Sequence, residues 1–200
     1  MVSYPTWMRT PSLIFLRQLV GGSYLEDCIR TPMFQRPYGW DDERERLLFD
    51  SILRGLPMGA LTVLRTTLPL RFHEPEPTRF GFTDFILDGH QRLTALKVLL
   101  TTDKWLYDFE SKALVLNGGD VGENCVPTKF FLKSADTFKA PPHLWHQVSR
   151  VADCVMDYPI AVVSLNSDDL EEIRDCMLRI SLGGLAFTRE DVDRLLQFKA

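Results

Sequence analysis

The chain has 200 residues, 45% of them hydrophobic and thirteen of them phenylalanine, which is enough to close one substantial core and little more. Its net charge of −4 excludes a general electrostatic pull on nucleic acid, so any such contact has to come from a local patch. The four cysteines, Cys28, Cys125, Cys154 and Cys176, form no Cys-x-x-Cys pair, and this excludes the common zinc and redox frameworks.

In chain order, Thr10 reads as the cap of a short helix with Pro11 at its first position. Leu13, Leu16, Leu19 and Val20 form its apolar face, and Gly21-Gly22 ends it. Tyr24 to Ile29 reads as a strand that leads into Phe34-Gln35-Arg36-Pro37, where Pro37 biases Arg36 toward extended backbone. Asp41 then caps a helix that carries Leu47, Leu48, Ile52 and Leu53 inward and stops at Gly55 and Pro57. Arginines and carboxylates alternate through this helix, the pattern of a solvated mixed-charge face. Ala60 to Arg65 is a short buried strand. Residues 67 to 82 hold three prolines and little periodicity, and they read as an exposed excursion or flap between strands.

The segment from Phe85 to Leu96 carries the most information. Phe85, Ile86 and Leu87 suit a buried strand, Gly89 permits a tight turn, and Leu93, Leu96, Leu99 and Leu100 share one helical face. A strand that turns straight into a helix presents the unpaired N–H groups and partial positive charge of the first helical turn, and Gln91 and Arg92 add side-chain donors there. Such a junction suits an anion. An ordinary strand-turn-helix with Asp88 as a structural cap is equally compatible with these twelve residues.

Farther on, Trp105 to Phe109 and Ala113 to Leu116 form a hairpin, followed by a loop from Asn117 to Asn124 and a strand at Phe130-Phe131-Leu132. Leu144, Val148, Val151 and Val155 mark an amphipathic helix, Ile160 to Leu165 a strand, and Leu170, Ile173, Met177 and Ile180 another helix. Cys154 and Cys176 fall in these helical patterns as small buried hydrophobes. Thr188 to Asp191 opens a last helix with capping-box spacing. His143 and His146 lack further metal ligands and read as surface histidines. With no basic leader and no run of eighteen apolar residues, the chain is expected to be soluble and cytoplasmic.

Phe34-Gln35-Arg36-Pro37-Tyr38 with Trp40, followed by Asp88-Gly89-His90-Gln91-Arg92-Leu93-Thr94, resembles the N-terminal domain of GmrSD-type modification-dependent restriction systems. The stretches Ser51 to Gly59 and Met177 to Gly184 extend the likeness. His90 stands where that family usually has glutamine, and Ser181 where it has asparagine. The resemblance implies an α+β fold of the ParB/sulfiredoxin type, a mixed sheet flanked by helices with a more helical C-terminal part. It divides as a nucleotide-binding core over 1–140, completed by helices and a strand over 141–200. It also implies a nucleoside-triphosphate-binding and hydrolysing component of a bacterial or phage restriction or defence system, using Mg²⁺ with GTP or ATP.

Under that reading Asp88, His90, Gln91 and Arg92 are the catalytic candidates, with Asp88 as the metal ligand. Arg36, Tyr38, Gly89, Arg92 and Arg179 are the nucleotide-binding candidates. Arginine suits phosphate because its planar fork makes two parallel charge-assisted bonds. Gln91 suits the placing of a water, and His90 suits a general base near neutral pH. Arg36 is expected beside Arg92, because a triphosphate outweighs one arginine and one helix terminus. Tyr38 and Trp40 fit either a base-stacking surface or core anchors, and Phe34 fits the core. No histidine-type or Asp-Glu-x-Lys nuclease pattern is visible, so cleavage would fall to a nuclease domain or subunit. The alternative is a module of the same fold that binds DNA or protein without turnover.

Overall fold

A computed structural model of the chain describes residues 12–21, 29–72, 83–118, 122–132 and 139–182. Thr10 and Pro11, the predicted strand before Ile29, part of the predicted flap, Gly183-Gly184 and the helix opening at Thr188 lie outside the described residues.

The architecture is mixed α+β. Five strands form the main sheet in the order β1-β8-β3-β4-β2: β1 (Ser12–Phe15), β8 (Pro159–Asn166), β3 (Leu61–Thr66), β4 (Thr83–Asp88) and β2 (Ile29–Arg30). The β1–β8 and β3–β4 pairs are antiparallel, whereas β3–β8 and β2–β4 are parallel. A smaller antiparallel sheet, β6-β5-β7, is built from β5 (Trp105–Asp108), β6 (Ala113–Leu116) and β7 (Cys125–Pro127). The helices are α1 (Leu16–Gly21), α2 (Asp42–Leu53), α3 (His90–Thr101), α4 (Trp145–Met156) and α5 (Leu170–Leu182).

Strand alternation divides the core into two layers. Leu61, Val63, Ile86, Ile160 and Val162 face one cluster with residues of α1, α2, α3 and α4, while Leu64, Phe85, Leu87 and Leu165 face another with Phe34, Leu70 and α5. Helices α3 and α5 therefore cover opposite faces of the sheet. The first cluster also joins Leu48 and Phe49 to Leu144, Val148 and Val155, so residues before and after 140 share one core.

Four local expectations are corrected. The predicted first helix begins as strand β1 and becomes helical only at Leu16, because antiparallel pairing with β8 satisfies its backbone and leaves Leu13 exposed. Leu47 also faces solvent, and Phe49 and Glu45 occupy the inner face of α2 in its place. Residues Thr128–Leu132 form a 3-10 helix in place of a strand, with Thr128 donating its hydroxyl proton to the carbonyls of Leu99 and Trp105. Cys154 lies on the exposed side of α4; Cys176 is half-buried against the second cluster.

Glu45 is the buried exception on the mixed-charge helix. Its carboxylate has no exposure and accepts hydrogen bonds from the Tyr38 hydroxyl (2.6 Å), Trp105 Nε1 (2.6 Å) and Lys104 Nζ (2.7 Å). The other charges on α2 behave as its pattern predicts, in exposed pairs such as Arg46–Glu43 and Arg54–Asp50.

Candidate functional site

The site is assembled from three loops that converge on the start of α3. Strand β4 ends at Asp88, and Gly89 follows with φ +95°. A Cβ there would overlap Leu61 Cδ2 and crowd the Arg92 guanidinium, so both the turn and the packing require glycine. Gly89, with no side chain to offer, occupies the cap position of α3, and Asp88 does not cap the helix. Gly89 thus offers the first-turn N–H groups no side-chain acceptor of its own, in contrast to α2, where the cap residue Asp41 accepts from Arg44 N at 2.9 Å.

The second loop, residues 35 to 39, lies across this turn. Gln35 Nε2 donates to the carbonyls of Leu87 (2.8 Å) and Ile86 (3.3 Å), at the end of β4. From the other side, Gln91 Nε2 donates to the Pro37 carbonyl at 3.0 Å and its Oε1 accepts from Gly39 N at 2.9 Å. Arg36 is held between these anchors. It is exposed and has no ion-pair partner among the described residues. Sequence reasoning thus brought the right two segments together, although more than fifty positions separate them.

The third loop, residues 56 to 59, ends the Ser51–Gly59 stretch of the family likeness. Arg92 Nη1 donates to the Met58 carbonyl at 2.9 Å and Nη2 to Asp88 Oδ2 at 2.9 Å, and the Arg92 side chain is only 17% exposed against 47% for Asp88. Gly59, at φ +87°, gives the guanidinium room, since a Cβ there would overlap Arg92 Nη1. Tyr158 secures the loop's other side: its hydroxyl donates to Leu56 O at 2.6 Å and accepts from Met58 N at 2.9 Å. Burial raises the pKa of Tyr158 and keeps it neutral. Tyr158 was not a candidate, and no local pattern marks it, because its role depends on a partner one hundred positions away.

The remaining candidates divide. His90 Nδ1 lies 3.5 Å from the hydroxyls of Thr31 and Thr94, a half-buried setting on the first turn of α3. Tyr38 packs on the core and donates a hydrogen bond to Glu45; burial first, then that bond and the Glu45 charge, raise its pKa. Tyr38 and Trp40 therefore serve as core anchors. Arg179 is on α5, exposed, and paired with Asp175 at 2.7 Å; no bond links it to the turn at Asp88–Arg92. Asp88 Oδ1 accepts no hydrogen bond among the described residues, and no cluster of three potential metal ligands occurs among them.

The arrangement gathers the loop that carries the exposed Arg36, a half-exposed carboxylate, an imidazole and a glycine-capped helix terminus around one turn. Chemically this can receive an anion. A Mg²⁺ ion fits only in the mode in which one carboxylate shares it with the ligand's own oxygens, with Asp88 as that carboxylate. No helix among the described residues is long and apolar enough to cross a membrane. No curated protein matches the chain. Residues 16–176 match the family model described as GmrSD restriction endonuclease, N-terminal domain.

Proposed function

Because the chain belongs to the GmrSD restriction endonuclease N-terminal domain family, we propose that it is the nucleotide-responsive part of a DNA restriction or defence system. It binds a nucleoside triphosphate with Mg²⁺ at the turn Asp88–Arg92. The observation that supports this most is the fastening of the Gln35–Gly39 loop, which carries the exposed Arg36, to the end of β4 and to Gln91 on the first turn of α3, whose cap residue is a glycine. The phosphates meet Arg36 and the first-turn N–H groups, with Gly89 allowing close approach. Asp88 would hold the Mg²⁺, which when bound spreads the charge of the transferring phosphoryl group. His90 is then the group beside the turn with a proton to accept from an attacking water.

Two observations favour binding without turnover as the second reading. Gln91 uses both ends of its amide to hold Pro37 and Gly39, and Arg92 is engaged by Met58 and Asp88, so neither is free for chemistry in this arrangement. In that reading the domain signals through its ligand, DNA or a nuclease partner, and leaves the nucleotide intact.

Phosphate release from each common nucleoside triphosphate, with and without DNA, separates the two. Arg36→Ala is expected to weaken nucleotide binding by roughly ten- to a hundredfold, the worth of one charge-assisted contact, with unchanged circular dichroism. Unchanged affinity would remove Arg36 from the site. If turnover occurs, Asp88→Asn abolishes the Mg²⁺-dependent rate, and His90→Gln preserves or raises it. A wild-type protein that binds nucleotide and releases no phosphate under any of these conditions leaves the second reading.

A further inference from the structure

A groove of about 490 Å³ opens between α2, the β5–β6 hairpin and α4, and no residue of the Asp88–Arg92 turn lines it. Its floor is apolar and aromatic: Leu53, Tyr107, Phe109 and Val151. The Tyr107 and Phe109 rings meet edge to face at 5.0 Å, so the aromatic pair is held in place by its own packing. Two cations stand at this apolar floor, Lys112 from the hairpin turn and Arg150 from α4.

The chain is acidic overall, and yet neither cation has an ion-pair partner among the described residues. The carboxylates that Tyr107 senses are engaged elsewhere: Asp108 binds the N–H groups of Glu110 and Ser111 and the Ser111 hydroxyl, and Asp50 pairs with Arg54. Lys112 also adopts φ +55°, a conformation that asparagine or glycine enters at lower cost. Both cations are exposed and line the same groove as the aromatic pair.

We propose that this groove is a second ligand site, for a small organic anion with a flat aromatic body, of the size of a nucleoside monophosphate. The aromatic body lies against Tyr107, Phe109 and Val151, and the acidic group is held by Lys112 and Arg150. It is separate from the Asp88–Arg92 turn, and its test does not depend on that turn.

Cys154 lines the same groove and is exposed, so its alkylation reports occupancy at this position. The rate of iodoacetamide modification at Cys154, followed by peptide mass, is measured with AMP, with 2-naphthalenesulfonate, with adenosine and with inorganic phosphate. Both aromatic anions are expected to slow it at least threefold at millimolar concentration, while the neutral nucleoside and the bare phosphate do not. Lys112→Gln and Arg150→Gln, both at exposed positions, should each raise the half-protecting concentration about tenfold. No protection of the wild type by either aromatic anion overturns the proposal. Equal protection by adenosine, or protection that survives the double substitution, overturns it as well.

Discussion

Glu45→Ala is expected to destabilise the protein by about 3–5 kcal/mol, the cost of breaking a buried charged network by removing one partner. The carboxylate is fully buried and is the acceptor for Tyr38, Trp105 and Lys104 together. Its removal strands the buried indole N–H of Trp105 and leaves the half-buried Tyr38 hydroxyl without its acceptor. Lys104 is affected differently: burial pulls its pKa down, but the bonds to Asp42 and Glu45 outweigh that and leave it above the ordinary lysine value. Losing Glu45 therefore returns part of the burial cost, which Asp42 at 2.8 Å offsets in part. Urea denaturation followed by tryptophan fluorescence measures the loss. A change under 1 kcal/mol would mean that the network contributes little beyond packing. Glu45→Gln should fall between, since the amide still accepts but loses the charge on its bonds to Lys104 and Trp105.

Gly89→Ala is expected to cost roughly 2–5 kcal/mol, combining left-handed strain with overpacking. The side chain it would overlap is Leu61 Cδ2, in the floor of the core and fully buried, so little can yield. Gly59→Ala has the same sign of φ, but its Cβ overlaps the tip of Arg92. Arg92→Ala should therefore recover part of the Gly59→Ala loss and almost none of the Gly89→Ala loss. A double-mutant cycle by thermal or urea unfolding tests this, with coupling between positions 59 and 92 of about 1 kcal/mol or more. Equal coupling at both glycines would contradict the geometry.

Elements with strong local patterns could be read from the sequence: α2 with its Asp41 cap, the β4–α3 junction, the β5–β6 hairpin, α4, β8 and α5. Strand β1 could not, because Leu13, Leu16 and Leu19 satisfy a helical period as well as they satisfy a strand that becomes a helix, and only β8 decides between them. The meeting of Gln35–Gly39 with Asp88–Arg92 was legible through the family likeness. What the residues do there was not. Gln91 and Arg92 look like ligand donors in a linear reading, since nothing local shows the carbonyls of Pro37 and Met58 that they hold. Glu45 was hidden for the same reason, as one carboxylate among several on a charged helix.

The bond between Gly39 N–H and the Gln91 amide has a consequence for time scales. Its acceptor is a side chain from another element, so this proton is shielded only while the 35–39 loop stays closed on α3. The Met58 N–H is shielded in the same way by Tyr158, on the third loop. These two amides are native exchange clocks for the two loops, ticking independently of the sheet. A ligand that locks both loops slows both protons together, whereas one that touches a single loop slows only one.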